Sequence, residues 1–300
     1  MSSRPTTDPA AEGGMTLGEL RRAMLGMLAP ELGDDEAEGC VRAILEDAGG
    51  YSRLDTVVHA DRMLEPFTVA RLTDMARRVL GGEPVQYVTG HARFYGMDLR
   101  VTPAVLIPRP ETEGLVDLIA DTWGDRPDLR VLDVCTGSGC IAIALARRLP
   151  FARVTATDIS DAALDVARSN AKALGVRIDF RHEDALRPES APSDAWDIIV
   201  SNPPYIADSE SDAMEPHVLL HEPHTALFVP DADPLRFYRP ISRYAAAALR
   251  PGGQLYFEIN PRYADATAQC MRDAGLADVR LDRDFCGRVR YASAVRPSRP

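Results

Sequence analysis

Apolar positions follow two regimes along the 300-residue chain, and the change falls near residue 90. From 16 to 82 they recur every three or four residues, the spacing of one helix face. Leu17, Leu20, Met24, Leu25 and Leu28 follow Thr16 and Glu19, a capping-box pair, and Pro30 is expected to stop this first helix. Ala37, Val41, Ile44 and Leu45 mark a second, from Asp34 to Gly49-Gly50. Val69, Leu72, Met75 and Val79 mark a third, over 67–80, ended by Gly81-Gly82. Each helix is short and apolar on one side, so the segment predicts a small bundle of four or five helices.

Beyond residue 90 the pattern becomes strand-like. ARFYGMDLRV (92–101) has two short runs around Gly96 and predicts a hairpin. VTPAVLIPRPETE (101–113) is expected to lie as a non-helical strap held by Pro108 and Pro110, leading into a helix that ends near Trp123. Strands and helices then alternate: strand 130–134, helix 139–149, strand 153–158, helix 161–174, strands 177–182 and 196–201. A helix near 234–249, a strand 254–259, a helix 262–274 and two final strands follow. This is the pattern of an α/β, doubly wound, mostly parallel sheet of seven strands with helices on both faces, preceded by a helical bundle and a hairpin linker.

Composition narrows the possible partners. Asp and Glu number 45 against 34 for Lys and Arg, a formal charge of −11. The first 82 residues alone hold nine basic and fourteen acidic side chains. Tight nucleic-acid binding needs cations aimed at phosphates, so direct nucleic-acid binding is not expected. Five scattered cysteines with no C-x-x-C pair suit free thiols in a reducing compartment. The first fourteen residues are small and polar, unlike a signal peptide, and are expected to be disordered. No apolar run approaches the roughly 20 residues that would span a bilayer. A cytoplasmic, membrane-free protein is the expectation.

The sharpest early motif is VLDVCTGSGCIAIALA (131–146). A buried strand ends at Asp133, and the turn Thr136-Gly137-Ser138-Gly139-Cys140 opens a helix whose N-terminus carries about half a positive charge. Gly137 and Gly139 would let the backbone approach a ligand, and Ala142 would allow close helix–strand packing. Asp158 ends the next strand, where a carboxylate can take both ribose hydroxyls, and Asp184 follows the third, near a possible adenine edge. The turn alone also fits a dinucleotide dehydrogenase. A P-loop is excluded, because no Gly-Lys-Ser/Thr follows. Asp133 without a Lys or Arg suits the cationic S-adenosylmethionine better than a pyrophosphate.

The second motif is DIIVSNPPYI (197–206), which brings Asn202-Pro203-Pro204-Tyr205 to the carboxyl edge of the sheet. These residues suit a planar NH₂ on an electron-withdrawing group. The Asn202 oxygen and the Pro203 carbonyl can each accept one of its hydrogens. Pro204 stiffens the turn and offers no amide hydrogen, and the Tyr205 ring is expected to lie against the flat face of the substrate. Held this way, a delocalised nitrogen lone pair can be aimed at a sulfonium methyl with no metal and no strong base.

With these motifs the chain resembles the class I methyltransferases that act on planar nitrogens. EPVQYVTGHARFYGMDLRVTPAVLIPRPETE (83–113) and HEPHTALFVPDADPLRFYR (221–239) make it similar, more narrowly, to the release-factor glutamine N5-methyltransferase (PrmC/HemK) family. The resemblance runs from about residue 15 to 295. It implies methylation of the glutamine side chain in the Gly-Gly-Gln loop of peptide-chain release factors, from S-adenosylmethionine. By position, Thr136 to Gly139 and Asp158 would hold the cofactor, with Asp133, Cys140, Asp184 and Asn202 beside it, and Asn202 to Tyr205 would hold the glutamine amide. The implied division is a helical substrate-recognition domain at 15–85, a hairpin and strap at 86–108 and a methyltransferase domain at 109–296, in a monomer. Where many members read Glu-Ile-Gly, this chain has Glu258-Ile259-Asn260 and then Tyr263, and Cys135 and Cys140 replace the commoner Gly and Ala. The cysteines are shared with a sister family acting on a ribosomal protein glutamine, whereas PRPETE is the release-factor form.

Three further features carry less. His217, His221 and His224 crowd one segment, but Pro223 is expected to keep them off a common helical face, against a metal site. Arg109 and Glu111 fit a pocket-shaping role or strap anchoring equally. Two rival functions are an adenine-N6 nucleic-acid methyltransferase, which would need a basic target-reading region, and a non-catalytic module that binds cofactor and release factor.

Overall fold

The computed structural model of the chain describes residues 14–124, 126–188 and 192–298; apart from Gly14, the tail expected to be disordered lies outside them. Two compact units form, residues 1–91 with 216–221, and 92–215 with 222–300.

The first unit is helical. α1 (Leu17–Leu32) opens with the anticipated capping box: Glu19 N donates to Thr16 Oγ1 at 3.3 Å and Thr16 N donates to Glu19 Oε2 at 2.9 Å. Pro30 does not stop it. The helix runs to Leu32, because a proline so near the end forfeits only one hydrogen bond of the last turn. α2 (Asp34–Ala43) widens into a π turn at Ile44–Ala48, which the period of the apolar residues did not signal. α3 (Arg53–Val58), α4 (Pro66–Leu80) and α5 (Val85–Thr89) complete the bundle. Leu17, Leu20, Met24 and Leu28 meet Val41, Ile44, Leu45, Leu72 and Ala76 in its core. Each Leu, Ile, Val or Met side chain among them contributes about 2 kcal/mol by leaving water.

The second unit starts with the predicted hairpin, β1 (His91–Phe94) and β2 (Met97–Arg100), turned by Tyr95 and Gly96 at φ 51° and 67°. The strap is non-helical only to Arg109. Pro110 opens α6 (Pro110–Trp123) at its first turn, where a missing N–H costs nothing, so Glu111-Thr112-Glu113 lie on a helix. The alternating elements follow: β3 (Arg130–Val134), α7 (Cys140–Arg148), β4 (Arg153–Asp158), α8 (Asp161–Ala173), β5 (Ile178–His182) and β6 (Trp196–Ser201). A two-residue strand β7 (Ile206–Ala207), short helices α9 (Pro216–His221, counted with the first unit) and α10 (His224–Leu227), and β8 (Phe228–Val229) come next. α11 (Tyr238–Ala248), β9 (Leu249–Glu258), α12 (Ala264–Asp273), β10 (Ala277–Arg283) and β11 (Val289–Val295) end the chain.

The seven strands run in the order β10-β11-β9-β6-β3-β4-β5. All neighbours are parallel except β11, which is antiparallel to both β9 and β10. Strand alternation explains the two apolar layers. Val131, Val154, Ile198 and Val200 point to a core shared with α6 and α7, and Leu132, Ile199, Leu255 and Phe257 to one shared with α11 and α12. The winding reverses at β3, with β4 and β5 on one side and β6 and β9 on the other, so a crevice opens at the carboxyl ends of β3 and β6. The pair β7–β8 is parallel and outside the main sheet, and two residues per strand are too few to show a period.

Candidate active site

The turn after β3 is built around Asp133, which is fully buried. Its Oδ2 accepts from Thr136 Oγ1 at 2.6 Å and from Ala142 N at 3.2 Å, tying the strand end to the first turn of α7. Oδ1 is buried with no protein donor among the described residues. Burial pushes this carboxyl up to about 7, against the pull of the Thr136 and Ala142 hydrogen bonds, and Asp158 adds to the rise. Gly137 (φ 55°) and Gly139 (φ 81°) both take left-handed backbone, but for different ends. A side chain on Gly137 would meet nothing within 4 Å, whereas one on Gly139 would meet Ala167 Cβ at 3.1 Å and Ile143 Cδ1 at 3.2 Å. Gly137 lines the crevice; Gly139 permits the packing of α7 on α8.

Asp158 ends β4 and closes the turn from the side. Its Oδ2 accepts from Gly137 N and its Oδ1 from Ser160 N, both at 2.9 Å, which leaves further lone pairs for a ligand. Burial raises its carboxyl, and the amides of Ser160 and Gly137 oppose the rise. Asp184 stands past β5, its Oδ1 accepting from Leu186 N at 2.9 Å. Cys140, at the start of α7, has its thiol pushed up to about 12 by burial, which leaves it an inert wall rather than a nucleophile.

These groups surround a cavity of about 340 Å³, in the range of small-ligand sites. Its lining includes Thr136, Gly137, Ser138, Cys140, Asp158, Asp184, Asn202 and Pro204 of the anticipated residues. Asp133, Gly139, Pro203 and Tyr205 do not line it. Asp133 lies behind the turn, and Tyr205 is held at both ends: its hydroxyl donates to Glu258 Oε1 at 3.0 Å and its carbonyl accepts from Asn260 Nδ2 at 3.2 Å. Burial and the Glu258 carboxylate raise that hydroxyl, while Arg290 opposes them.

Several lining residues lie outside the turn motifs, in the two longer stretches (83–113 and 221–239) that carry the family resemblance. Val105, Leu106, Pro108 and Arg109 of the strap form one wall, with Thr225, Ala226, Phe228, Arg236 and Phe237 also contributing. Glu222 explains how the strap is held. Its carboxylate is 1% exposed and accepts from Arg109 Nη2 at 2.6 Å and Ile107 N at 3.2 Å. Arg109 thus both anchors the strap and lines the cavity, whereas the carbonyl of Glu111 accepts from the Tyr291 hydroxyl at 2.5 Å. Thr112 and Glu258, also missed as site residues, join Asn202 in a hydrogen-bonded chain: Thr112 Oγ1 donates to Glu258 Oε2 at 2.7 Å and lies 3.4 Å from Asn202 Nδ2. The signals available for Glu258 were a charged residue closing an apolar strand, LYFEI, and its place in the Glu-Ile-Asn run that matches the family's Glu-Ile-Gly.

The histidine expectation needs correcting. Pro223 follows α9 instead of interrupting it, so His217 and His221 stand one helical turn apart, while His224 begins α10 and meets the Phe228 ring edge-on at 5.3 Å. Among the described residues no three His, Cys, Asp or Glu side chains converge on a cation-sized site, and no helix is long and apolar enough to cross a membrane. The cavity presents acceptors at Asp158, Asp184 and Asn202, and of its two cations, Arg109 and Arg236, the first is already paired with Glu222, which fits a ligand bearing hydroxyls and amino groups.

Comparison with known proteins agrees with this geometry. Residues 112–229 match the methyltransferase small domain and residues 28–90 the PrmC N-terminal domain. The chain is 42% identical over 278 residues to the release factor glutamine methyltransferase of Bacteroides thetaiotaomicron, covering 92% of this chain and 98% of that one. It is 41% identical over 288 residues to the enzyme of the same name from Cereibacter sphaeroides, covering 95% and 100%. A methyltransferase structure from Pyrococcus furiosus shares the fold at a TM-score of 0.50 and 16% identity, over 75% of this chain and all of that one. A seven-stranded methyltransferase sheet, an Asn-Pro-Pro-Tyr turn at its switch point and full-length identity of this order lead to one conclusion: the chain belongs to the release factor glutamine methyltransferase family.

Proposed function

We propose that this chain transfers a methyl group from S-adenosylmethionine to the side-chain nitrogen of the glutamine in the Gly-Gly-Gln loop of peptide-chain release factors. The observation that carries the reading is Asn202: it lines the cavity at the end of β6 and turns its Nδ2 toward Thr112, which leaves Oδ1 for a ligand NH₂.

The residues present fit the cofactor. Asp158 offers acceptors for ribose hydroxyls and Asp184 for an adenine amino group, and the Asp133 Oδ1 lies buried behind the turn. The phosphates of a dinucleotide would meet these carboxylates with like charge. When bound, S-adenosylmethionine supplies an electrophilic methyl on a sulfonium.

What the chain does is orient the acceptor. An amide nitrogen is a weak nucleophile because its lone pair is delocalised. Asn202 Oδ1 and the Pro203 carbonyl accept its two hydrogens and fix it, and the paired prolines keep that turn rigid. Val105, Leu106, Pro108, Ile141 and Phe237 keep water from the reacting atoms. The nitrogen gains the methyl carbon as that carbon's bond to sulfur breaks, and the proton it sheds leaves through its hydrogen bond to Asn202 Oδ1 or the Pro203 carbonyl, so no strong general base is needed. The first unit is assigned to gripping the release factor, in a protein that works in the cytoplasm as a monomer.

Label from methyl-labelled cofactor should appear in a release factor, and be lost when the loop glutamine is changed to asparagine, whose shorter arm does not reach. Label in DNA and none in the release factor would refute the proposal in favour of adenine methylation.

A further inference from the structure

Glu258 closes β9 with a carboxyl that is 1% exposed, and its two oxygens face different elements. Oε2 accepts from the Thr112 hydroxyl of α6 at 2.7 Å, and Oε1 from the Tyr205 hydroxyl at 3.0 Å. Thr112 Oγ1 also lies 3.4 Å from Asn202 Nδ2, long for a hydrogen bond, as catalytic contacts often are before substrate binds.

The direction of this chain follows from counting protons. A hydroxyl has one proton and two lone pairs, and an ionised carboxylate only accepts. With its proton given to Glu258, Thr112 can only accept from Asn202. Asn202 must therefore present NH₂ to Thr112, and its carbonyl oxygen turns the other way. Were Thr112 free to donate, the flipped amide would serve equally well, and an NH₂ would face the substrate NH₂.

We infer that Glu258 is a positioning residue for methyl transfer, fixing through the Thr112 hydroxyl which end of the Asn202 amide meets the substrate nitrogen, and tethering the far end of the same turn through Tyr205. The inference rests on the reading of Asn202 as acceptor for the glutamine amide. A merely space-filling role does not account for the charge. Burying a carboxylate costs several kcal/mol, and the nearby Arg290 is engaged at 3.3 Å with Asp284. A glutamine would fill the same volume, but its NH₂ could donate to Thr112 and release the Thr112 proton toward Asn202, which loses the single orientation.

The pH profile adds a readout that packing alone would not move. Burial raises the Glu258 carboxyl, the Thr112 and Tyr205 hydrogen bonds and Arg290 oppose the rise, and Glu111 adds to it. Tyr238, Tyr291 and Cys140 also face it. Protonated Glu258 becomes a donor, so turnover should fall on the acid side in the wild type.

The test compares Glu258→Gln, Thr112→Val, Thr112→Ser and the Glu258→Gln/Thr112→Val pair in the full chain. Both single losses should lower kcat about 10- to 100-fold, with KM for release factor and for S-adenosylmethionine within about threefold. The pair should lose no more than the worse single, Thr112→Ser should restore most turnover, and Glu258→Gln should lack the acid limb. The chain has three asparagines, Asn170, Asn202 and Asn260, so ¹⁵N-asparagine labelling resolves three side-chain NH₂ groups without turnover. The Asn202 pair should move in Glu258→Gln and Thr112→Val, and that of Asn170 should not. A kcat for Glu258→Gln within about threefold of wild type, multiplying losses in the pair, or an unmoved Asn202 signal would overturn the inference. Should Glu258→Gln fail to fold by circular dichroism, Thr112→Val tests the same relay with the carboxylate kept. Wild type that leaves the release factor unmethylated refutes the functional reading instead, and the Asn202 signal still decides the positioning inference.

Discussion

Replacing Glu222 by glutamine tests how the strap is held against the cavity. The native carboxylate is buried and accepts twice, from Arg109 Nη2 at 2.6 Å and Ile107 N at 3.2 Å. Glutamine keeps one acceptor, so one of these bonds is lost and an NH₂ is turned toward a donor. A lost hydrogen bond to a charged group is worth about 1.5–3 kcal/mol, and an unsatisfied buried donor adds about 1–3. Arg109 is 33% exposed and regains water, which offsets part of the sum. A net loss of about 2–4 kcal/mol remains, and at roughly 3 °C per kcal/mol for a unit of this size Tm should fall by about 6–12 °C. Strap residues Val105, Leu106, Pro108 and Arg109 line the cavity, so a loosened strap must be ordered again on binding. S-adenosylmethionine affinity should weaken about tenfold, a cost near 1.4 kcal/mol. Calorimetric melting and titration read the two effects separately. A Tm and a Kd both unchanged from wild type would refute the anchoring argument.

Other expectations follow from the same geometry. Asn202→Ala should lower kcat about 10²- to 10³-fold in methyl-transfer assays while cofactor Kd stays within a few fold, because it removes an acceptor aimed at the reacting group. The two turn glycines should fail differently. Gly139→Ala drives a methyl into Ala167 and Ile143 at φ 81° and should cost about 1–3 kcal/mol in denaturant melts. Gly137→Ala meets open space and should cost less stability but more cofactor affinity. Asp133 sets a pH dependence. Its folded value, about 7, lies above its unfolded one, so between them the folded state keeps a proton that the unfolded chain has lost. The stability it confers is therefore full at low pH and declines as pH rises toward 7. Urea melts at pH 5 and pH 8 should show a smaller decline in Asp133→Asn than in wild type; equal slopes would place Asp133 outside the linkage.

The main sheet was legible because its strands are buried on both faces or alternate cleanly, and 130–134, 153–158 and 196–201 fall where the apolar runs place them. Helix ends were less legible, since Pro30 and Pro110 are punctuation whose meaning depends on whether the ring sits in a first or last turn. Of the cavity lining, Thr136 to Ser138, Asp158, Asp184 and Asn202 were readable, being strand ends and turns with local signatures. Glu258 and Glu222 were not. Their partners Thr112 and Arg109 lie 146 and 113 residues away, and no local period encodes a hydrogen bond of that span. The tether on Tyr205 was hidden for the same reason: Glu258, which accepts from its hydroxyl, is 53 residues downstream.

The central claim is that one glutamine nitrogen of a release factor receives the methyl group. Mass spectrometry of a release factor incubated with the chain and S-adenosylmethionine reads it at residue resolution. The account predicts one added methyl on the glutamine of the Gly-Gly-Gln loop, absent with Asn202→Ala; an unmodified loop, or a methyl on another residue, would contradict it.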